Sequence, residues 1–130
     1  MAGEPILVVD DNLLNVKLLR LLLETEGYQV RVAHSAEDAL TVLQSFRPRL
    51  ILLDIQLPGM DGLELARRLR RNPDTASLVI VALTAYAMKG DEGKVLSAGC
   101  DAYIRKPVDT RVLPSLLAEH LAKAESSKLE

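Results

Sequence analysis

Apolar residues fall along the chain in two alternating rhythms. Uninterrupted runs at Ile6 to Val9, Leu50 to Leu53 and Leu78 to Leu83 are each followed by a stretch in which apolar positions return every three or four residues. The runs suit strands covered on both faces, and the three-to-four spacing suits amphipathic helices. The first helix carries Leu14, Leu18, Leu21 and Leu22 on one face, the stripe expected to meet the sheet, and stops at Gly27, a residue suited to the left-handed conformation that ends helices. Ser35-Ala36-Glu37-Asp38 reads as a variant capping box for a second helix, in which Ala39, Leu43 and Phe46 share a face before Pro48. Asp61 caps a third, with Leu65, Ala66 and Leu69 inward, and Asn72-Pro73-Asp74 marks the turn after it. A fourth, around Met88 to Ser97, is weakened by Gly90 and Gly93, each costing about 1 kcal/mol relative to Ala. The last runs through Leu116, Leu117, His120 and Leu121; it begins between Thr110 and Pro114, because a proline deeper inside would remove a backbone donor.

Two further strands have a different texture. Tyr28 to Ala33 alternates apolar and polar, and Ala102 to Ile104 is very short, so both read as sheet edges. Helical crossovers of this length require parallel pairing with right-handed connections. Five strands with two such edges fit the order 2-1-3-4-5, a flavodoxin-like, doubly wound α/β fold with helices on both faces.

Composition narrows the functional classes. At 130 residues and 48% apolar, the chain fits one domain, which buries roughly two-thirds of its unfolded surface without needing a disulfide or a structural metal. Sixteen basic against eighteen acidic residues provide no general field for nucleic acid or an anionic membrane. The single Cys100 and the widely separated His34 and His120 offer no zinc spacing. No apolar run is long enough for a membrane span, and the amino terminus lacks secretory-signal character, so a cytoplasmic location is expected. Residues 122 to 130, AKAESSKLE, read as a polar tail, and no output domain is expected after Leu121.

In open parallel sheets, ligands gather outside the carboxyl ends of the strands, where adjacent connections leave for opposite faces. The first strand ends in Asp10-Asp11, the third in Asp54, the fourth in Thr84, and the fifth leads to Lys106-Pro107. Strands one and three are neighbours in the expected order, which gathers three carboxylates at one rim. A hard divalent cation would relieve their repulsion; Mg²⁺ commonly takes one or two carboxylates with waters and a phosphate. Lys106 and the Thr84 hydroxyl, from the other side, suit the oxygens of a phosphoryl group. Each residue alone is ordinary loop chemistry; their convergence at four strand ends is not.

The segments ILVVDDN (6 to 12), LILLDIQLPGMDGLEL (50 to 65), VALTAYAMKGD (81 to 91) and AGCDAYIRKPV (98 to 108) together resemble a receiver domain of the two-component response regulators, the CheY-like family. The match covers about residues 4 to 121. The segment TAYAMKGD is most like single-domain regulators of the DivK type and receiver modules of hybrid sensor kinases. This resemblance implies that Asp54 is the phosphoacceptor and that Mg²⁺, with Mn²⁺ as a substitute, is held by Asp10, Asp11, Asp54 and the backbone carbonyl of Gln56. It also implies that Lys106 pairs with the phosphoryl group and Thr84 hydrogen-bonds to it, with Tyr103 as the aromatic switch; a half-buried edge-strand aromatic is the plainer reading of Tyr103. Lys106-Pro107 is expected from the family to be a cis peptide.

The implied partners are a histidine kinase or histidine phosphotransfer protein as donor, and a downstream protein contacting the face of the fourth helix, fifth strand and fifth helix. Neither nucleic acid nor membrane is expected. The implied chemistry is the chain's own Mg²⁺-dependent phosphorylation and dephosphorylation, without turnover of an external substrate. Gln56 and Tyr86 flank the expected path of attacking water, and bulky Tyr86 should slow phosphate loss. The run Arg67, Arg68, Arg70, Arg71 reads as a solvated face near a helix end, with an acidic partner as the alternative. The competing functional class is an aspartate-based phosphohydrolase of the haloacid-dehalogenase type. Those enzymes usually have a second acid two residues after the nucleophile, where this chain has Gln56, and a cap domain, which this chain lacks. No GxGxxG or GxxxxGK[ST] loop follows the first strand, against a nucleotide-binding role.

Overall fold

The computed structural model describes residues 3–57, 59–84, 91–106 and 108–129. Strands and helices alternate throughout: β1 (Pro5–Val9), α1 (Leu13–Thr25), β2 (Gln29–Ala33), α2 (Ala36–Val42), β3 (Leu50–Asp54), α3 (Gly62–Arg71), β4 (Val79–Thr84), α4 (Asp91–Ser97), β5 (Ala102–Arg105) and α5 (Leu113–Leu129). All four strand pairings are parallel, in the order β2-β1-β3-β4-β5 expected from the sequence.

The uninterrupted apolar runs have a direct structural cause. Successive side chains of a strand point to opposite faces, and in the central strands both faces are covered. Leu7, Val9, Ile51, Leu53, Ile80 and Ala82 join a core under α2, α3 and α4. Ile6, Val8, Leu50, Leu52, Val79, Val81 and Leu83 join a second core under α1 and α5. At the edges, β2 alternates between exposed and buried positions, and β5 has no fully buried residue.

Local signals fix most helix ends. Asn12, Ser35 and Asp61 each accept a backbone N–H three residues ahead and cap α1, α2 and α3. α1 ends where Gly27 adopts φ +95°, with Gly27 N–H bonded to Glu24 O and Tyr28 N–H to Leu23 O, the paired bonds of a Schellman motif.

Two expectations are corrected, and one helix runs further than its apolar positions indicated. The buried face of α1 is Val16, Leu19 and Leu23, not the stripe of Leu14, Leu18, Leu21 and Leu22; Leu14, Leu18 and Leu21 are exposed, and only Leu22 packs partly against the core. Leucines so dense support two apolar stripes, and periodicity does not choose between them. α5 begins at Leu113, within the expected interval, with Pro114 in the first turn, where its missing N–H costs nothing. It continues to Leu129, so the segment read as a tail is helical, in keeping with its content of Ala, Lys, Glu and Leu. Finally, α2 stops at Val42, well before Pro48, although Leu43 and Phe46 still pack against the core.

Candidate functional site

β1 and β3 are adjacent, with Val9 paired to Leu53, so the residues just beyond them meet at the carboxyl ends of the strands. Asp10 and Asp54 are buried, Asp11 is exposed, and one carboxylate oxygen from each lies within 4.8 Å of the others. Asp10 and Asp54 are held in the same way. In each, Oδ1 accepts the N–H two residues ahead, from Asn12 to Asp10 and from Gln56 to Asp54, both at 2.9 Å. This short local turn is characteristic of Asp; it fixes the carboxylate plane and leaves Oδ2 pointing elsewhere.

The two Oδ2 atoms face Lys106. Its Nζ donates to Asp54 Oδ2 at 2.7 Å and lies 3.8 Å from Asp10 Oδ2. Lys106 is carried there by the β4–β5 ladder, which closes with Lys106 N–H bonded to Thr84 O at 2.8 Å. Asp10 Oδ2 is buried and has no hydrogen-bond partner among the described residues. Burial holds the Asp10 carboxyl above the usual carboxylate range, and the Asp54 charge adds to the shift, against the lowering influence of the Asn12 N–H and Lys106. Among the described residues a single ammonium faces the three carboxylates, which leaves the site short of positive charge. An orphaned buried oxygen within an all-oxygen cluster fits a hard divalent cation.

The remaining expected residues have varied positions. Thr84 is buried as the last residue of β4. Gln56 is exposed just beyond Asp54, with its N–H committed to the Asp54 carboxylate. Tyr103 is half-buried on β5 and packs against the core under α2, α3 and α4. Tyr86 and Pro107 lie outside the described residues, so the expected roles of Tyr86 and of the Lys106-Pro107 bond have no structural counterpart here. The sequence reading did not single out Gly62, the first residue of α3, where a Cβ would lie 2.5 Å from the Asp54 carbonyl oxygen. Only its position just after the Asp61 cap hinted that a helix must start hard against the end of β3. A cavity of about 460 Å³ between α2 and α3, lined by Leu40, Leu43, Phe46, Leu69 and Leu78, opens at the amino ends of the strands, where no acidic cluster lies among the described residues.

Comparison with known proteins decides the family. The response regulator receiver domain family matches residues 6–118. The chain belongs to the response regulator receiver family. It is 39% identical, over 119 residues, to the polar-differentiation response regulator DivK of Brucella anthropi, covering 92% of this chain and 97% of that protein. Its fold superimposes on a CheY-like receiver domain protein of Methanospirillum hungatei with a TM-score of 0.89 at 33% identity, covering 97% of this chain and 99% of that one. It also matches the receiver domain of a sensor histidine kinase from Pseudomonas aeruginosa, which has a magnesium ion coordinated in its active-site cleft, with a TM-score of 0.84 at 32% identity, covering 93% and 99% of the two chains. The chain is therefore a receiver domain of two-component signalling, a switch rather than a metabolic enzyme, and the haloacid-dehalogenase reading has no support. Among the described residues no helix is long and apolar enough to cross a membrane.

Proposed function

We propose that this receiver accepts a phosphoryl group on Asp54 Oδ2 from a phosphohistidine. The observation that carries the reading is the Lys106 Nζ contact with Asp54 Oδ2 at 2.7 Å, beside the Asp10 and Asp11 carboxylates. Asp54 supplies the oxygen that bonds to phosphorus as the bond from phosphorus to the donor imidazole breaks. Lys106 pairs with the transferring oxygens, the Thr84 hydroxyl donates to one of them, and Gln56 N–H keeps the attacking carboxylate oriented. Asp10, Asp11, Asp54 and the Gln56 carbonyl would hold Mg²⁺, with Mn²⁺ as a substitute, and the ion would supply positive charge against that spread over the phosphoryl oxygens. Loss of the phosphoryl group to water is the domain's own reaction, modulated by Gln56 and Tyr86.

Phosphorylation takes Asp54 from one negative charge to about two. Thr84 is drawn toward the new oxygens, and Tyr103 packs inward behind it, altering the face of α4, β5 and α5 that a downstream protein reads. The domain spans about residues 4 to 121 and works in the cytoplasm. The donor docks on α1. Leu13, Leu14, Leu18 and Leu21 are 64%, 77%, 49% and 67% exposed, an apolar stripe on a helix whose cap, Asn12, adjoins the Asp10-Asp11 doublet. A phosphohistidine-bearing protein must come within bonding reach of Asp54, and this stripe is an exposed apolar surface on the helix that starts beside the Asp10-Asp11 doublet. The test is labelling of purified protein by acetyl phosphate with Mg²⁺. Wild type should incorporate phosphate and Asp54→Asn should not; equal incorporation by the variant would end the reading.

A further inference from the structure

Asp101, on the turn leading into β5, grips the neighbouring strand through both main chain and side chain. Its N–H donates to the Ile80 carbonyl at 2.8 Å, and its Oδ2 accepts the N–H of the same Ile80 at 2.8 Å. That Oδ2 also accepts Arg70 Nη2 at 2.7 Å. Arg70 is the inward member of the arginine run, 22% exposed, while Arg67, Arg68 and Arg71 surround Glu64 in solvent. Its remaining donors reach the carbonyls of Gly99 at 2.7 Å, Ala76 at 2.9 Å and Leu78 at 2.6 Å. Gly99 has φ +106°, and a Cβ there would lie 2.6 Å from Arg70 Cγ, so the turn before Asp101 is shaped around this side chain.

The grip sits one step before the first β4–β5 pair, Val81 with Ala102. From there the ladder runs to Thr84 with Arg105 and ends at Lys106. β5 has only four residues, at an exposed edge, where register is weakly specified by packing. A slip of one residue would move Lys106 by about 3.3 Å and turn Tyr103 to the other face of the sheet.

We propose that Asp101, braced by Arg70, is a positioning residue for phosphoryl transfer: by clamping Ile80 it sets the register of β5 and thereby holds Lys106 against Asp54. This rests on the reading of Asp54 as phosphoacceptor. The three clustered carboxylates lie at the ends of β1 and β3, so the clamp governs pairing with the phosphoryl group without governing metal binding.

The test uses the full chain as wild type, Asp101→Ala, Asp101→Asn and Arg70→Gln. It measures Mg²⁺ affinity by calorimetry, the initial rate of labelling by acetyl phosphate at saturating Mg²⁺, and amide exchange at Ile80 and Lys106. Asp101→Ala should label about a hundredfold more slowly or worse, the order of effect of losing one aligned donor, with Mg²⁺ affinity within about twofold of wild type. Asp101→Asn keeps an oxygen for the Ile80 N–H and should recover to within about threefold, because the acceptor rather than the charge sets the register. Arg70→Gln should fall between them. The proposal is overturned by Asp101→Ala labelling at the wild-type rate, by Asp101→Asn falling as far as Asp101→Ala, or by Mg²⁺ affinity falling in step with the rate. If Asp101→Ala does not fold, Arg70→Gln, which leaves both strands unaltered, decides: wild-type rate and exchange would overturn the clamp. If wild type fails to label, the acceptor reading has failed, and exchange alone judges the clamp; faster exchange at Ile80 and Lys106 in Arg70→Gln supports it and unchanged exchange refutes it.

Discussion

Gly62 offers a test of how tightly the acceptor is seated. A methyl group there would lie 2.5 Å from the Asp54 carbonyl oxygen, 2.5 Å from Ile55 Cα and 3.1 Å from the Asp54 carbonyl carbon. Comfortable contact needs about 3.5 Å, so α3 or the end of β3 must retreat by roughly 1 Å. The obstacle is main chain, with no rotamer to relieve it, and Gly62 N–H is itself bonded to Ile55 O. Overpacking of this kind costs about 1–3 kcal/mol, and a displacement near 1 Å at a reacting group costs about a hundredfold in rate. Gly62→Ala should therefore lower the urea midpoint without changing the m-value, and slow labelling by more than its stability loss alone would suggest. Gly93 supplies the control: it is exposed within α4, a Cβ there meets nothing within 4 Å, and Gly93→Ala should gain about 0.5–1 kcal/mol. Equilibrium urea unfolding and acetyl phosphate labelling on both variants make the comparison. A Gly62→Ala protein with wild-type midpoint and rate would refute the claim that α3 is seated on the acceptor's backbone.

Burial raises the Cys100 thiol to about 11, and Tyr28 is also raised, chiefly by burial. Between pH 9 and 11 the unfolded chain has released the Cys100 proton while the native chain retains it, so stability must fall as pH rises through that window, by up to about 3 kcal/mol at its top. Urea midpoints at pH 8 and 10.5 check this, and Cys100→Ala should flatten the decline; a decline of equal depth in the variant would contradict it. Lys106→Ala removes the cation beside two buried carboxylates and should cost roughly 1–3 kcal/mol at pH 7 in chelator by leaving buried acceptors unsatisfied, with added Mg²⁺ raising its melting temperature more than that of wild type; calorimetric melts with and without Mg²⁺ would reveal otherwise. A charge on the exposed stripe of α1, Leu14→Glu or Leu18→Glu, should slow transfer from a phosphohistidine donor protein at least about tenfold while leaving acetyl phosphate labelling intact; equal loss with both donors would remove α1 as the docking surface.

The sheet was legible because a strand buried on both faces writes itself as an unbroken apolar run, and β1, β3 and β4 do so. The acids were legible for a related reason: once the strand order is known, the residues at the carboxyl ends of β1 and β3 must meet. α1 was misread because Leu14, Leu18 and Leu21 form as good a stripe as Val16, Leu19 and Leu23, and the choice between them depends on how the chain enters the helix from Asn12. Arg70 was invisible among its neighbours because an arginine turns inward only when carbonyls from distant segments, here Ala76, Leu78 and Gly99, converge on it. The continuation of α5 past Leu121 could have been weighed from helix propensity, but polarity spoke louder than Ala and Lys.

The measurement closest to the central claim is the site of modification itself. Wild-type protein is incubated with acetyl phosphate and Mg²⁺, the acyl phosphate is reduced with borohydride, and the altered residue is located by peptide mass spectrometry, with a parallel sample in chelator. Modification is expected at Asp54, and none without a divalent cation. Modification at another carboxylate, or equal modification in chelator, would contradict it.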